Sequence, residues 1–144
     1  MTRTGQCLCG AVTFEADTGD TFSICHCKMC QRWSAGVFMG VPTTKFRVTK
    51  GAEDLTVVRT SEWATRAFCR KCGSNIYYKA DAMETPAATL GNLDDASGLT
   101  PARQYYIDLK PEGFSIAEEM HTMTEAECIA HFAPDETGDS HDKV

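Results

Sequence analysis

Cysteine supplies the densest chemistry in this chain. Residues 25–30 read CHCKMC, so three thiols fall within six positions. Two further pairs stand far apart, Cys7 and Cys9 as C-x-C and Cys69 and Cys72 as C-x-x-C. Close pairs separated by a long stretch are how a chain builds a tetrahedral four-thiolate zinc site, each turn lending two sulfurs. Gly10 and Gly73 directly follow the second cysteine of each pair, where a tight knuckle favours a residue tolerant of positive φ. Assigning those four to a structural zinc leaves Cys25, Cys27 and Cys30 with one another. Three protein thiolates on zinc leave a fourth position for water or a substrate, which is the arrangement of a catalytic ion.

Spacing alone leaves other allocations open. Cys25 and Cys27 could pair instead with Cys69 and Cys72, or the trio could be closed into a second staple by His26 or Cys128. His26 lies between two ligands and would have to turn its ring back while the flanking sulfurs point inward. Cys128 stands alone in a helical stretch, where a single cysteine is more often a small buried apolar residue. Its i, i+3 spacing to His131 is a weak metal pattern, and His121 and His141 add no motif.

An open zinc would act on thiols. A free thiol has a pKa near 8.5, and bringing it to about 7 corresponds to about 2 kcal/mol, within reach of a Lewis acid. A metal-stabilised thiolate is also a weaker nucleophile, so positioning the thiol against a carbonyl, or polarising the carbonyl oxygen, must contribute as well. Three thiolates on Zn²⁺ carry one net negative charge and call for cations nearby. Lys28 and Arg32 flank Cys30 and are the candidates, against the plainer reading of solvated surface charge. Trp33 could wall the pocket, whereas Trp63, Tyr77 and Tyr78 read as packing.

These residues need rigid elements to hold them. Short alternating or apolar runs recur at 10–15, 36–41, 45–50, 55–60, 74–79, 87–91 and 104–109, divided by Gly, Pro, Asp and Asn, so the body reads as mostly antiparallel β. Ser115 with Glu118 and Thr124 with Glu127 have the capping-box pattern and predict two short C-terminal helices. Residues 1–133 are expected to form one domain and 134–144 a flexible polar tail. The 144 residues are 42% hydrophobic and 24% charged, ordinary for a globular domain. A net charge of −6 without a Lys/Arg block argues against nucleic acid as a partner. No apolar stretch approaches the length of a membrane span and no secretory signal opens the chain, so a cytoplasmic location is expected. There, eight cysteines point to metal or thiol chemistry rather than disulfides.

Three ordered motifs, GQCLCGAVTFEA at 5–16, CHCKMCQRWSAGVF at 25–38 and FCRKCGSNIYY at 68–78, resemble the glutathione-dependent formaldehyde-activating enzyme family, whose domain also occurs in centromere protein V. The resemblance implies a zinc-stapled β-tent fold and two zinc ions per chain. By motif position, Cys7, Cys9, Cys69 and Cys72 would hold the structural ion, and Cys25, Cys27 and Cys30 the active-site ion. Ala35 departs from the pattern, since many members have Gly after the Ser or Thr that matches Ser34. The activity implied is a carbon–sulfur lyase or synthase working on a glutathione, or other small-thiol, adduct of formaldehyde or a related aldehyde. The alternatives are a non-catalytic glutathione carrier and a structural zinc module for protein partners. A B-type methionine sulfoxide reductase would need a reactive cysteine on a late strand, which RQYYIDL lacks. A homodimer through an exposed edge strand is compatible with the sequence.

Overall fold

The computed structural model describes residues 1–133; the tail expected at 134–144, with His141, lies outside the described residues. Among the described residues ten strands run in chain order: β1 Thr2–Gln6, β2 Thr13–Thr18, β3 Thr21–Cys25, β4 Phe38–Lys50, β5 Leu55–Ser61, β6 Ala64–Cys69, β7 Asn75–Ala80, β8 Ala87–Thr89, β9 Thr100–Tyr105 and β10 His121–Met123. Helix α1, Lys28–Ser34, interrupts them early, and α2, Glu125–Phe132, follows the last strand. The mainly β fold expected from the sequence is therefore the fold adopted.

Strand β4 organises the sheet. Its first half lies between β3 and β8, and its second half pairs with β2, which carries β1 on its far side. The remaining order runs β10-β9-β3-β4-β8-β7-β6-β5. The runs expected as two strands at 36–41 and 45–50 form this single strand in spite of Pro42. Pro42 cannot donate to a ladder. Hydroxyls compensate beside it: Thr43 Oγ1 donates to Pro86 O at 2.7 Å, and Thr85 Oγ1 donates to Thr43 O.

Two pairings depart from the antiparallel expectation. Strand β9 runs parallel to both β3 and β10. The strand expected over 104–109 lies earlier, because Tyr106 takes a left-handed conformation (φ 56°) and Ile107–Leu109 coil into a single 3₁₀ turn. Only one of the two expected C-terminal helices is present. The Thr124–Glu127 capping box opens α2, with Glu127 N donating to Thr124 Oγ1 and Thr124 N to the Glu127 carboxylate. Ser115 starts no helix. It is exposed, and residues 116–120 after it form no regular element before β10 begins at His121.

Two apolar clusters result. Val12, Phe14, Ala16, Ile76 and Ala88 form the larger one with Cys7 and Cys69, and Phe46, Val48 and Leu55 pack against it. The smaller one joins Cys27, Cys30 and Phe38, covered by Cys25, Trp33, Tyr78 and Tyr106. Each group of cysteines thus has its own apolar surroundings. No helix among the described residues is long and apolar enough to cross a membrane.

Candidate functional site

The four-cysteine group assembles from two knuckles. In the first, Gly10 N donates to Cys7 O at 3.0 Å with Gly10 at φ 73°; in the second, Gly73 N donates to Cys69 O at 2.8 Å with Gly73 at φ 77°. Neither glycine is crowded, so it is the left-handed backbone rather than space that asks for glycine there. Cys7 and Cys9 sulfurs lie 3.6 Å apart, and Cys9 and Cys69 sulfurs 3.9 Å. A tetrahedral zinc with bonds of about 2.3 Å sets its sulfurs roughly 3.8 Å apart, so the donor set fits that ion. Val12 N donates to Cys7 Sγ at 3.3 Å, and hydrogen bonds from Ser74 bring the Cys72 thiol down to about 6. Both contacts favour thiolates.

Cys25, Cys27 and Cys30 converge from a strand end and a helix start. Cys25 closes β3, and Cys27 is the N-cap of α1, its sulfur accepting from Cys30 N at 3.4 Å. All three sulfurs lie within 4.8 Å of one another. Hydrogen bonds from Cys25 and then Cys30 pull the Cys27 thiol down to about 2, and the contacts with Cys27 and Cys30 push Cys25 up. Sulfurs this close can shed all their protons only around a cation. The trio therefore fits a metal ion as well, and both cysteine groups could hold one.

Among the described residues no fourth His, Cys, Asp or Glu joins the trio. His26 is buried with its ring turned away, Nε2 meeting Gln104 Oε1 at 2.8 Å. Cys128 is buried in α2, its sulfur 4.0 Å from Met123 O and outside the group. The swapped allocation of Cys25 and Cys27 to Cys69 and Cys72 is likewise absent. Lys28 and Arg32 are both exposed, and Lys28 Nζ reaches only Gln31 Oε1, at 3.5 Å. They line a shallow surface depression with Gln31, Ala35 and Gly36. Trp33 does cover the trio, whereas Trp63, expected in the packing, is 48% exposed in the β5–β6 turn.

The cation at the trio is one the motif reading missed. Arg66 on β6 is 2% exposed, and its Nη2 donates to Cys30 Sγ at 3.4 Å. Its guanidinium carbon lies 4.8 Å from the centre of the Trp33 ring and 4.9 Å from that of Tyr78, with Phe38 at 5.9 Å. The signal was present in strand period: Ala64 and Arg66 share one face of β6, and both are buried. Burial also pushes the Tyr106 phenol up, to about 12, with the charges of Cys128 and Cys27 adding to it.

Residues 2–108 match the model of the family described as glutathione-dependent formaldehyde-activating enzyme. The chain belongs to that family. All seven grouped cysteines fall inside the matched stretch, as does Arg66. Among formaldehyde-activating family relatives, an uncharacterized lyase of Schizosaccharomyces pombe is 28% identical over 122 residues, covering 83% of this chain and 89% of that protein. A crystal structure of a Rhodobacter sphaeroides protein superposes with a TM-score of 0.53 at 22% identity, covering 83% of this chain and 99% of that one, a likeness of fold.

Proposed function

We propose that this protein is a zinc-dependent carbon–sulfur lyase or synthase acting on the adduct of a small thiol, glutathione foremost, with formaldehyde or a related aldehyde. The observation that carries this reading is the trio: three sulfurs within 4.8 Å of one another and no fourth donor beside them among the described residues, in a member of this family. Cys25, Cys27 and Cys30 would hold the active-site zinc, and Cys7, Cys9, Cys69 and Cys72 the structural one. Zinc bound by the trio would supply a Lewis-acidic position where a thiol is held in its deprotonated form.

In the synthetic direction the thiol adds across the carbonyl. A sulfur–carbon bond forms, the carbonyl π pair moves to oxygen, and the proton lost by sulfur ends on that oxygen; cleavage is the reverse. The aromatic cover of Trp33, Phe38, Tyr78 and Tyr106 limits water at the trio, which favours transfer between the two reactants. Arg66 adds positive charge where sulfur must remain anionic. A reducing cytoplasm suits this reading, because eight free thiols persist there.

The test is direct. Protein loaded with zinc is mixed with glutathione and formaldehyde, and formation of the S-hydroxymethyl adduct is followed by NMR exchange against the uncatalysed background. Acceleration proportional to enzyme is expected. Saturable thiol binding with no acceleration would instead identify a carrier, and no binding a closed structural site.

A further inference from the structure

Two arginines are buried among the described residues, and they are treated in opposite ways. Each guanidinium nitrogen of Arg3 has an oxygen: Nε donates to Thr18 Oγ1 at 3.0 Å, Nη1 to Asp95 O at 2.8 Å and Nη2 to Ser97 O at 3.0 Å. Arg66 has no such oxygens. Its Nη2 meets the Cys30 sulfur, its Nε and Nη1 are buried without a hydrogen-bond partner, and no carboxylate of the described residues pairs with it. A buried guanidinium without a counter-ion is strongly unfavourable, so the anion that holds it must come from the trio and whatever the trio binds. Ring faces of Trp33 and Tyr78 keep the group in place but cannot neutralise it.

Charge counting then gives Arg66 a specific task. Three thiolates with a divalent cation leave one net negative charge, and the guanidinium cancels it. A thiolate entering the remaining position meets a neutral centre instead of an anionic one. The four-cysteine group has no equivalent: the cations on its second knuckle, Arg70 and Lys71, are bound to Asp54 at 2.8 and 3.1 Å. We propose that Arg66 is a charge-compensating positioning residue that makes the open position of the trio selective for an anionic thiolate over a neutral ligand. This inference rests on the reading of the trio as an open metal site.

The experiment uses the full chain loaded with Co²⁺ in place of zinc, titrated with ethanethiol, which binds as a thiolate, and separately with imidazole, which binds neutral, while the visible cobalt bands are followed. A charge a few ångströms away in a partly buried site is worth about tenfold or more in affinity. Arg66→Met is expected to weaken ethanethiol binding about tenfold or more and to leave imidazole within about twofold of the unchanged protein. Arg66→Gln carries the same expectation and replaces Met if that variant fails to fold, as judged by far-UV circular dichroism. Arg66→Lys keeps the charge and should recover most of the preference. Equal losses for both ligands, no loss for either, or a lysine variant indistinguishable from the neutral ones would each overturn the inference while leaving the proposed reaction standing. A wild-type protein whose spectrum answers neither ligand would overturn both.

Discussion

Cys27 does two things at once: its sulfur belongs to the trio, and it caps the helix that carries Cys30. Serine is among the best N-caps, so Cys27→Ser removes a soft donor while leaving the start of α1 intact. The variant should lose thiol binding and turnover to background while its far-UV spectrum and four-cysteine site stay unchanged; full turnover would remove the trio from the mechanism. At the other end of α1, Ala35 stands at φ 53° as the C-cap, at the position where the family pattern favours glycine. A left-handed alanine costs about 1 kcal/mol, of which glycine returns part to chain entropy. Ala35→Gly should therefore raise stability by about 0.5 kcal/mol, read as a higher urea midpoint with an unchanged slope.

Helix α1 spans seven residues, too short to stand on its own propensity, and side chains tie it in place, Asn75 Nδ2 donating to Trp33 O at 2.9 Å and Gln31 reaching the other way. Gln31 Nε2 donates to His26 O at 2.6 Å and to Leu109 O at 2.8 Å, tying the helix to the turn after β9. Gln31→Leu loses both bonds and strands two carbonyls, at a cost of about 2 kcal/mol. Metal should then leave the trio faster while the four-cysteine site is retained, as two separate rates with a chromophoric chelator; a single unchanged rate would deny α1 this dependence. Such long-range ties mark the boundary of what the sequence discloses. The close cysteine pairs and both glycine knuckles could be read from spacing, because those constraints are local, whereas which pair joins which stays open until the fold brings Cys9 beside Cys69. The alternation expected over 10–15 appears three residues later as β2, Thr13–Thr18, and the capping box of α2 is equally local. Strand β3, the parallel seat of β9 and the role of Arg66 depend on partners distant in the chain, so periodicity marks a face without saying what it meets. Arg66 is the clearest case: Lys28 and Arg32 are nearer in sequence, yet β6 delivers the charge.

For the molecule as a whole, the two cysteine groups have unequal weight. Cys7 and Cys69 sit within the larger apolar cluster, whereas the trio occupies the smaller one. A three-ligand ion should also be the weaker held. Graded chelation is expected to proceed in two phases, the first abolishing turnover with little change in melting temperature, the second collapsing the fold, since structural zinc contributes folding free energy outright. Calorimetry at each stage distinguishes this from a single coincident loss. The ends of the long sheet, β5 and β10, carry unequal surfaces, and β5 exposes Val57 and Val58.

Cys9 and Cys69 meet across 60 positions of chain. A ribosome delivers the amino-terminal knuckle long before its mate, so the nascent polypeptide carries Cys7 and Cys9 unclosed until the second knuckle, Cys69 and Cys72, has emerged. Cys25, Cys27 and Cys30 are adjacent and can gather sooner, although β9, which seats their strand, is translated later still. With zinc in both groups as proposed, expression in zinc-starved cells should lower the specific activity of the soluble protein before it lowers soluble yield, because the weaker-held three-cysteine ion is the first to go unfilled.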